Sequence, residues 1–384
     1  MTSQVALISP KVFLYGYYGF GNVGDDLLLS SVISALSRFA PDARFVVRSL
    51  NPVANVTNEY IQYVALEKIT ARVAWPRWRR LMCYAWETWR SLRGCSHLVF
   101  GGGTLFHARA GSIVNLALIT MLVVMARLRG AQVFALGVGV ASLPKGMPQR
   151  LMGFILSLAR DFAVRDESSL ANCQNLSRVP QVRLTADLVF ALPLERLPRA
   201  FSLRPVLAIT LAASDIGHDG LGNEEFLGSL AVALQRLRDL GWEIRFLSFQ
   251  EIDFGGVKLS DSALFAALYR YGLRESVEII RVSSLPAEIS RQFVDIDVVV
   301  GMRFHGHVLA ALMGIPFVGL GRDSKLVDLC VYFSMPFLEA NDLQSDRLVT
   351  AVEQTRTQVP SRQKTLMLSH AAAGNFSIVG ASIS

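Results

Sequence analysis

Guanidinium and imidazole groups gather at one point of this 384-residue chain. In Val298-Val299-Val300-Gly301-Met302-Arg303-Phe304-His305-Gly306-His307 an apolar run delivers one arginine and two histidines directly ahead of a helical stretch. A guanidinium beside a helix N-terminus binds a carboxylate or phosphate, and an imidazole there can move a proton near neutral pH. A surface arginine with a core histidine is the other reading, and it fits less well when Arg303, His305 and His307 stand so close together. No carboxylate or third imidazole adjoins His305 and His307, so a metal is not expected.

Three further loops follow apolar runs. Gly16-Tyr17-Tyr18-Gly19-Phe20-Gly21-Asn22-Val23-Gly24-Asp25-Asp26 has glycines that let a ligand approach the backbone. Its spacing is not G-x-G-x-x-G, and Asp25 and Asp26 would repel a phosphate, so a dinucleotide site is disfavoured. Read alone, it is a glycine turn with Asp25 as helix cap and Asp26 in the first turn. Gly101-Gly102-Gly103-Thr104 is either a tight turn or a place where phosphate, carboxylate or sugar meets the backbone. Val164-Arg165-Asp166-Glu167-Ser168 either presents Arg165 to a planar anion or pairs it with the capping residues Asp166 and Ser168.

These loops need elements to hold them. Short β-rich apolar runs alternate with longer runs of helical period, the rhythm of a parallel sheet. Strands are expected at 11–15, 44–48, 97–100, 132–136 and 162–164, then again at 206–211, 244–248, 277–281, 296–300 and 316–320. Periodicity lapses between Ala191 and Pro205, where Pro193, Pro198 and Pro205 cluster, and a linker is placed there. The fold class is therefore α/β, with two doubly wound Rossmann-like domains facing a cleft: 1–195, 205–340, and C-terminal helices, expected to be polar, over 341–384. Chemistry should sit in loops at the carboxyl ends of strands.

Composition narrows the setting. Hydrophobic residues make up 52% and charged residues 18%, which excludes a disordered chain. The net charge of +7 favours anionic partners, and no nucleic-acid partner is expected. The longest apolar stretch, 116–126, falls well short of the roughly 20 residues a spanning helix requires. Neither a membrane span nor a secretory leader is expected. Cys83, Cys95, Cys173 and Cys330 are scattered, as packing cysteines of a cytoplasmic protein are. Four of the five tryptophans, Trp75, Trp78, Trp86 and Trp89, fall within 72–93 together with Arg72, Arg77, Arg79, Arg80, Arg90 and Arg93. That helical segment either meets a lipid interface, placing the protein peripherally on the inner face of the cytoplasmic membrane, or packs its tryptophans into the core.

Taken together, Gly19-x-Gly21-Asn22-x-Gly24-Asp25, Gly101-Gly102-Gly103, Val164-Arg165-Asp166 and Met302-Arg303-Phe304-His305 followed by Gly314-x-Pro316 resemble the polysaccharide pyruvyl transferase family. The resemblance runs in order over most of the chain. It departs at Asp26, where the family has Glu, and at Phe304, where it has Leu. The stretch 135–140 keeps the glycines but lacks the usual Gln and Pro, and Arg322-Asp323-Ser324-Lys325 lacks the preceding Tyr.

The resemblance implies a fold similar to GT-B glycosyltransferases. It also implies transfer of a pyruvyl group from phosphoenolpyruvate to sugar hydroxyls of a bacterial cell-surface glycan or its lipid-linked precursor, without cofactor or metal. Substrate binding then falls to Arg303, Arg165, Lys325, His307 and the backbone of Gly21, Asn22, Gly24, Gly101, Gly102 and Gly103. His305 would be the general acid, and Asp25 would accept the hydroxyl proton or orient the sugar. Two alternatives are a nucleotide-sugar glycosyltransferase, with Glu288 or Asp295 as ribose clamp, and a catalytically silent glycan-assembly partner, against which the intact Arg303 and His305 argue.

Overall fold

The computed structural model describes residues 9–383 apart from 54–55, 57–58, 67, 69–74, 109–112, 175, 177–181, 199–203, 213–220, 255–256 and 275–276. The chain forms two compact units, one of residues 1–20, 25–191 and 368–384, the other of 21–24 and 192–367. These differ from the expected three consecutive stretches. Residues 21–24 cluster with the C-terminal unit, and the last helix is divided between the two.

The N-terminal unit runs β1 (Lys11–Tyr18), α1 (Val23–Phe39), β2 (Arg44–Ser49), β3 (Ile61–Val64), α2 (Arg77–Ser91), β4 (His97–Phe106), α3 (Val114–Leu128), β5 (Gln132–Val140), α4 (Met147–Leu158), β6 (Asp161–Val164), α5 (Glu167–Gln174) and β7 (Arg183–Leu184). Its seven strands lie in the order β3-β2-β1-β4-β5-β6-β7, with neighbours parallel. Parallel strands are covered on both faces and so read as continuous apolar runs. Phe13, Leu14, Leu98, Phe100, Val133 and Phe134 are accordingly buried. Strand order reverses between β1 and β4, the place where doubly wound sheets hold ligands at their carboxyl edge.

The C-terminal unit runs β8 (Val206–Thr210), α6 (Leu221–Asp239), β9 (Glu243–Ser248), β10 (Glu251–Phe254), β11 (Val257–Ser260), α7 (Asp261–Leu268), β12 (Glu278–Arg281), α8 (Pro286–Phe293), β13 (Val298–Gly301), α9 (Phe304–Met313), β14 (Phe317–Gly321), α10 (Ser324–Phe333), β15 (Phe337–Glu339), α11 (Ser345–Thr355) and the opening of α12 (Arg362–Ile383). Its parallel sheet has the order β12-β9-β8-β13-β14-β15, and β10 with β11 forms a separate antiparallel hairpin. Here the order reverses between β8 and β13. The strand that ends in the arginine–histidine loop thus sits at the switch point of its sheet. Beneath it the core is aromatic, with Phe246 stacked on Phe265 at 4.3 Å.

The C-terminal helix is not polar, contrary to expectation. α12 is long and apolar enough to cross a membrane by length and composition alone. Ala372, Asn375, Phe376, Val379 and Ile383 are nevertheless buried at helical spacing. In the N-terminal unit the Ser382 hydroxyl lies 3.0 Å from His97 Nε2, and Gly380 lets the helix close onto Phe39. The apolar content of its second half therefore serves packing.

Candidate functional site

The centre of the site is the end of β13. Arg303 occupies the N-cap position of α9, and the amide of Met302 donates to the carbonyl of Thr210 at 2.8 Å, tying the loop to the neighbouring β8. The Arg303 guanidinium turns inward. Its Nη2 donates to Asp261 Oδ1 and, at 3.0 Å, to Gln250 Oε1, while Nε donates to the Leu211 carbonyl at 3.1 Å and to Asp261 Oδ2 at 3.2 Å. Asp261 is fully buried and also accepts the amides of Phe249 at 2.9 Å and Gln250 at 3.1 Å. Burial pushes the Asp261 carboxyl up against the opposing pull of Arg303 and the two amides, and these bonds hold Arg303 in one orientation.

The glycine–asparagine loop meets this same place. Within the C-terminal unit, Asn22 forms an antiparallel bridge to Gln250, and the Val23 amide donates to the Phe249 carbonyl at 2.9 Å. The Gly24 amide donates to Asn22 Oδ1 at 3.2 Å, closing the loop on itself. A Cβ added at Gly24 would come 2.0 Å from Nδ1 of His305. The histidine ring therefore lies flush against bare backbone, and only glycine leaves it room. Gly21, Asn22, Gly24, Arg303 and His305 are thus assembled within one unit, with Phe249, Gln250 and Asp261, which sequence reasoning missed. A strand-end rule would have flagged Phe249 and Gln250, which follow β9; nothing local marks Asp261.

Lys325 sits in the first turn of α10, beyond the next strand along. Its Nζ pairs with Asp323 at 2.9 Å and lies 5.7 Å from the Phe304 ring centroid. Asp323 caps α10 by accepting the Lys325 amide at 3.1 Å. The lysine is thus anchored beside the residue that separates Arg303 from His305.

Three expectations require correction. His307 does not face a substrate: it is fully buried, with Nδ1 2.9 Å from the Arg303 carbonyl and Nε2 3.1 Å from the Val318 carbonyl. Burial lowers its pKa, and a neutral ring can donate to only one of those carbonyls. Its work is to pin α9 to β14. Arg165 is likewise architectural, since Nη1 meets Asp187 at 2.8 Å, Nη2 meets Thr104 at 2.9 Å and Nε meets Asp166 at 3.4 Å. Gly101, Gly102 and Gly103 belong to β4 and form no open loop. A Cβ at Gly101 would collide with the Tyr18 hydroxyl at 2.3 Å, and one at Gly102 with Leu28 at 2.7 Å. Gly102 also has φ +76, where a side chain is strained. These glycines admit β1 and α1 side chains to the sheet.

Asp25 and Asp26 stand in the first turn of α1, in the N-terminal unit. A Cβ at Gly103 would lie 3.6 Å from Asp25 Oδ1. Asp26 Oδ1 accepts the Gly19 amide at 2.9 Å, and burial pushes its pKa up to about 6. Among the described residues, no group of three or more His, Cys, Asp or Glu is placed to hold a metal ion.

The polysaccharide pyruvyl transferase family model matches residues 22–324, from the asparagine of the glycine loop to the head of α10. A comparison with curated protein sequences found no match. Among solved structures, the chain is similar to a UDP-GlcNAc 2-epimerase from Methanocaldococcus jannaschii, with 11% identity over 97% of this chain and 99% of that one and a TM-score of 0.63. A putative UDP-N-acetylglucosamine 2-epimerase from Listeria monocytogenes has 9% identity over 98% and 96%, with a TM-score of 0.62. Sucrose-phosphate synthase from Thermosynechococcus elongatus has 11% identity over 98% and 96%, with a TM-score of 0.57. At such identities these likenesses establish the fold, which is GT-B-like with Rossmann-like sheets. The match of 22–324 takes in both the Asn22–Gly24 loop and the Arg303–His305 loop that the fold packs together, and the chain belongs to the polysaccharide pyruvyl transferase family.

Proposed function

We propose that this transferase moves a pyruvyl group from phosphoenolpyruvate onto two hydroxyls of one sugar, closing a pyruvate ketal on a bacterial cell-surface glycan or its lipid-linked precursor. The observation that supports it most is the packing of His305 against Gly24, beside an Arg303 held by Asp261 and Gln250. That arrangement offers a fixed cation, backbone and a proton-transfer group in one place. Arg303 uses Nε and Nη2 for the fold, and its Nη1 edge is our assignment for the donor's carboxylate or phosphate. Lys325 and the loop of Gly21, Asn22 and Gly24 supply further charge and backbone for the donor.

Chemically, a sugar hydroxyl oxygen forms a bond to C2 of phosphoenolpyruvate while C3 takes a proton and becomes a methyl group. His305 donates that proton, and a carboxylate takes the hydroxyl proton, which we assign to Asp25. The C2–O bond to phosphate then breaks, with the electron pair leaving on phosphate. A second hydroxyl adds to C2 and loses its proton to close the ring. His305 regains a proton from the medium or from the second hydroxyl as it adds to C2.

A nucleotide-sugar donor would want an acidic ribose clamp, and Asp295 is bound to Arg245 at 2.8 Å. The test is phosphate release from phosphoenolpyruvate across a panel of free and lipid-linked glycans, with UDP and GDP sugars as competing donors. Thermal stabilisation by phosphoenolpyruvate should exceed that by nucleotide sugars, approaching about 2.7 kcal/mol at a hundredfold excess over Kd. The opposite ranking, with glycosyl transfer, would replace this reading by the glycosyltransferase one.

A further inference from the structure

α2 carries its apolar side outward. It packs through Tyr84 and Thr88, both buried, and through Leu92 just beyond its end. Trp78, Leu81, Met82 and Trp86 are 64%, 53%, 63% and 65% exposed. At 3.6 residues per turn these four span an arc of about 140° on one side of the helix. Arg72, at the start of the segment singled out in the sequence, lies outside the described residues. For the exposed pair Trp78 and Trp86 the core-packing alternative is overturned.

Charge completes the pattern. From residue 68 to residue 160 the only acidic side chain is Glu87, against thirteen lysines and arginines, so the rest of the chain is net acidic although the whole is +7. Glu87 is itself paired with Arg90 at 3.8 Å. The arginines also lean on the aromatics: Arg79 lies 4.5 Å above the Trp75 ring and Arg129, just past the end of the adjoining α3, 3.8 Å above Trp89. Those contacts hold two guanidinium groups against tryptophan faces on the same segment.

We propose that α2 is an interfacial helix that seats the N-terminal unit on an anionic lipid bilayer, with Trp78, Leu81, Met82 and Trp86 entering the headgroup boundary and the flanking arginines pairing with lipid phosphates. An apolar arc beside a cationic face is what a surface-lying helix requires. The aliphatic Leu81 and Met82 within the arc favour lipid over a nucleic acid, whose bases would stack on aromatic rings alone. A second copy of this chain would bring like charges together. The proposal does not rest on pyruvyl transfer, and its test needs no turnover.

The test is sedimentation of the full chain with vesicles of phosphatidylcholine alone and of equal parts phosphatidylcholine and phosphatidylglycerol. Partition should be at least about tenfold stronger on the anionic vesicles and should weaken in high salt. Trp78→Ser with Trp86→Ser should lower it by about tenfold or more without moving the thermal midpoint, because both side chains are exposed. A measurement on the wild-type protein guards against a misfolded variant: bromine-labelled acyl chains should quench tryptophan emission. No quenching, equal binding to neutral vesicles, or undiminished binding by the double variant would overturn the proposal. So would self-association or nucleic-acid binding that the double substitution abolishes while vesicles are ignored.

Discussion

The ends of β6 and β13 share one local design: a buried strand, an arginine, then a helix start. At β6 the guanidinium of Arg165 is spent on all three nitrogens, with Asp187, Thr104 and Asp166 around it and a side chain only 3% exposed. At β13 the contacts of Arg303 to Asp261, Gln250 and Leu211 engage Nε and Nη2, and 13% of the side chain reaches solvent. The residues just beyond each arginine differ as well. Asp166 accepts the Ser169 amide at 2.7 Å and starts a helix, whereas His305 lies against the backbone of Gly24. Three acceptor groups surround each arginine, but at Arg165 they take Nε, Nη1 and Nη2, whereas at Arg303 they take Nε and Nη2, and our assignment of donor binding rests on Nη1.

The largest effects should come from breaking these pairs. Asp187→Ala leaves Arg165 only its longer contact to Asp166, and Asp261→Ala takes the carboxylate from Arg303, each costing about 3–5 kcal/mol in denaturant unfolding. Replacing both partners by apolar residues separates the two sites. Arg165→Met with Asp187→Leu should recover most of the stability and keep phosphoenolpyruvate-dependent phosphate release. Arg303→Met with Asp261→Leu should recover stability but lose turnover by about 100-fold or more. If the Arg165 double variant folds yet no longer binds phosphoenolpyruvate, the contrast fails.

The two histidines sharpen the same contrast. His305→Gln should lower turnover by roughly 100-fold with little change in unfolding midpoint or donor binding. His307→Ala should instead cost about 2–3 kcal/mol, since it empties a buried position and removes the ring's donation to one of the two carbonyls it lies between. Retained turnover in a folded His305 variant would remove it from the mechanism. A smaller loss, about tenfold, is expected for Gly24→Ala, because the new methyl must push the His305 ring aside. Gly24→Ala with wild-type kinetics would show that the ring's position against that loop is immaterial.

Much of the sheet was legible in the sequence because parallel strands buried on both faces are uninterrupted apolar runs, as at 11–15, 97–100 and 206–211. Their lengths were less so. β4 was expected to stop at Phe100 and continues to Phe106, since Gly101, Gly102 and Gly103 extend the strand against Tyr18 and Leu28. Those partners are far away in sequence, the Tyr18 hydroxyl reaching the Gly101 carbonyl across 83 positions. The same reason hid the fates of the arginines: Asp187 lies 22 positions from Arg165, and Asp261 lies 42 from Arg303. Local spacing shows that a guanidinium is delivered to a strand end. Which carboxylate awaits it is decided by tertiary packing.

The smallest effect concerns the carboxylates of the two N-terminal loops, which the fold drives in opposite directions. Burial raises Asp166, but Arg165 and the bonds from Ser169 and Ser168 outweigh it and hold this group below its usual value. Asp26 has the Gly19 amide as a donor, and there burial wins, pushing it up to about 6. Folded protein therefore holds a proton on Asp26 between about pH 4 and pH 6 that the unfolded chain has released. Stability from this group is present below pH 4 and is lost as pH rises through 6, the reverse of a salt-bridged aspartate such as Asp166. Asp26→Asn should remove that slope while keeping an oxygen for the Gly19 amide. Because the group is only partly buried, the gain at pH 7 is put at about 1–2 kcal/mol rather than the full value of the shift. Unfolding curves of both proteins at pH 5 and pH 7.5 measure it: their difference should widen with pH, and a difference that narrows would mean that Asp26 is stabilised as the anion, as Asp166 is.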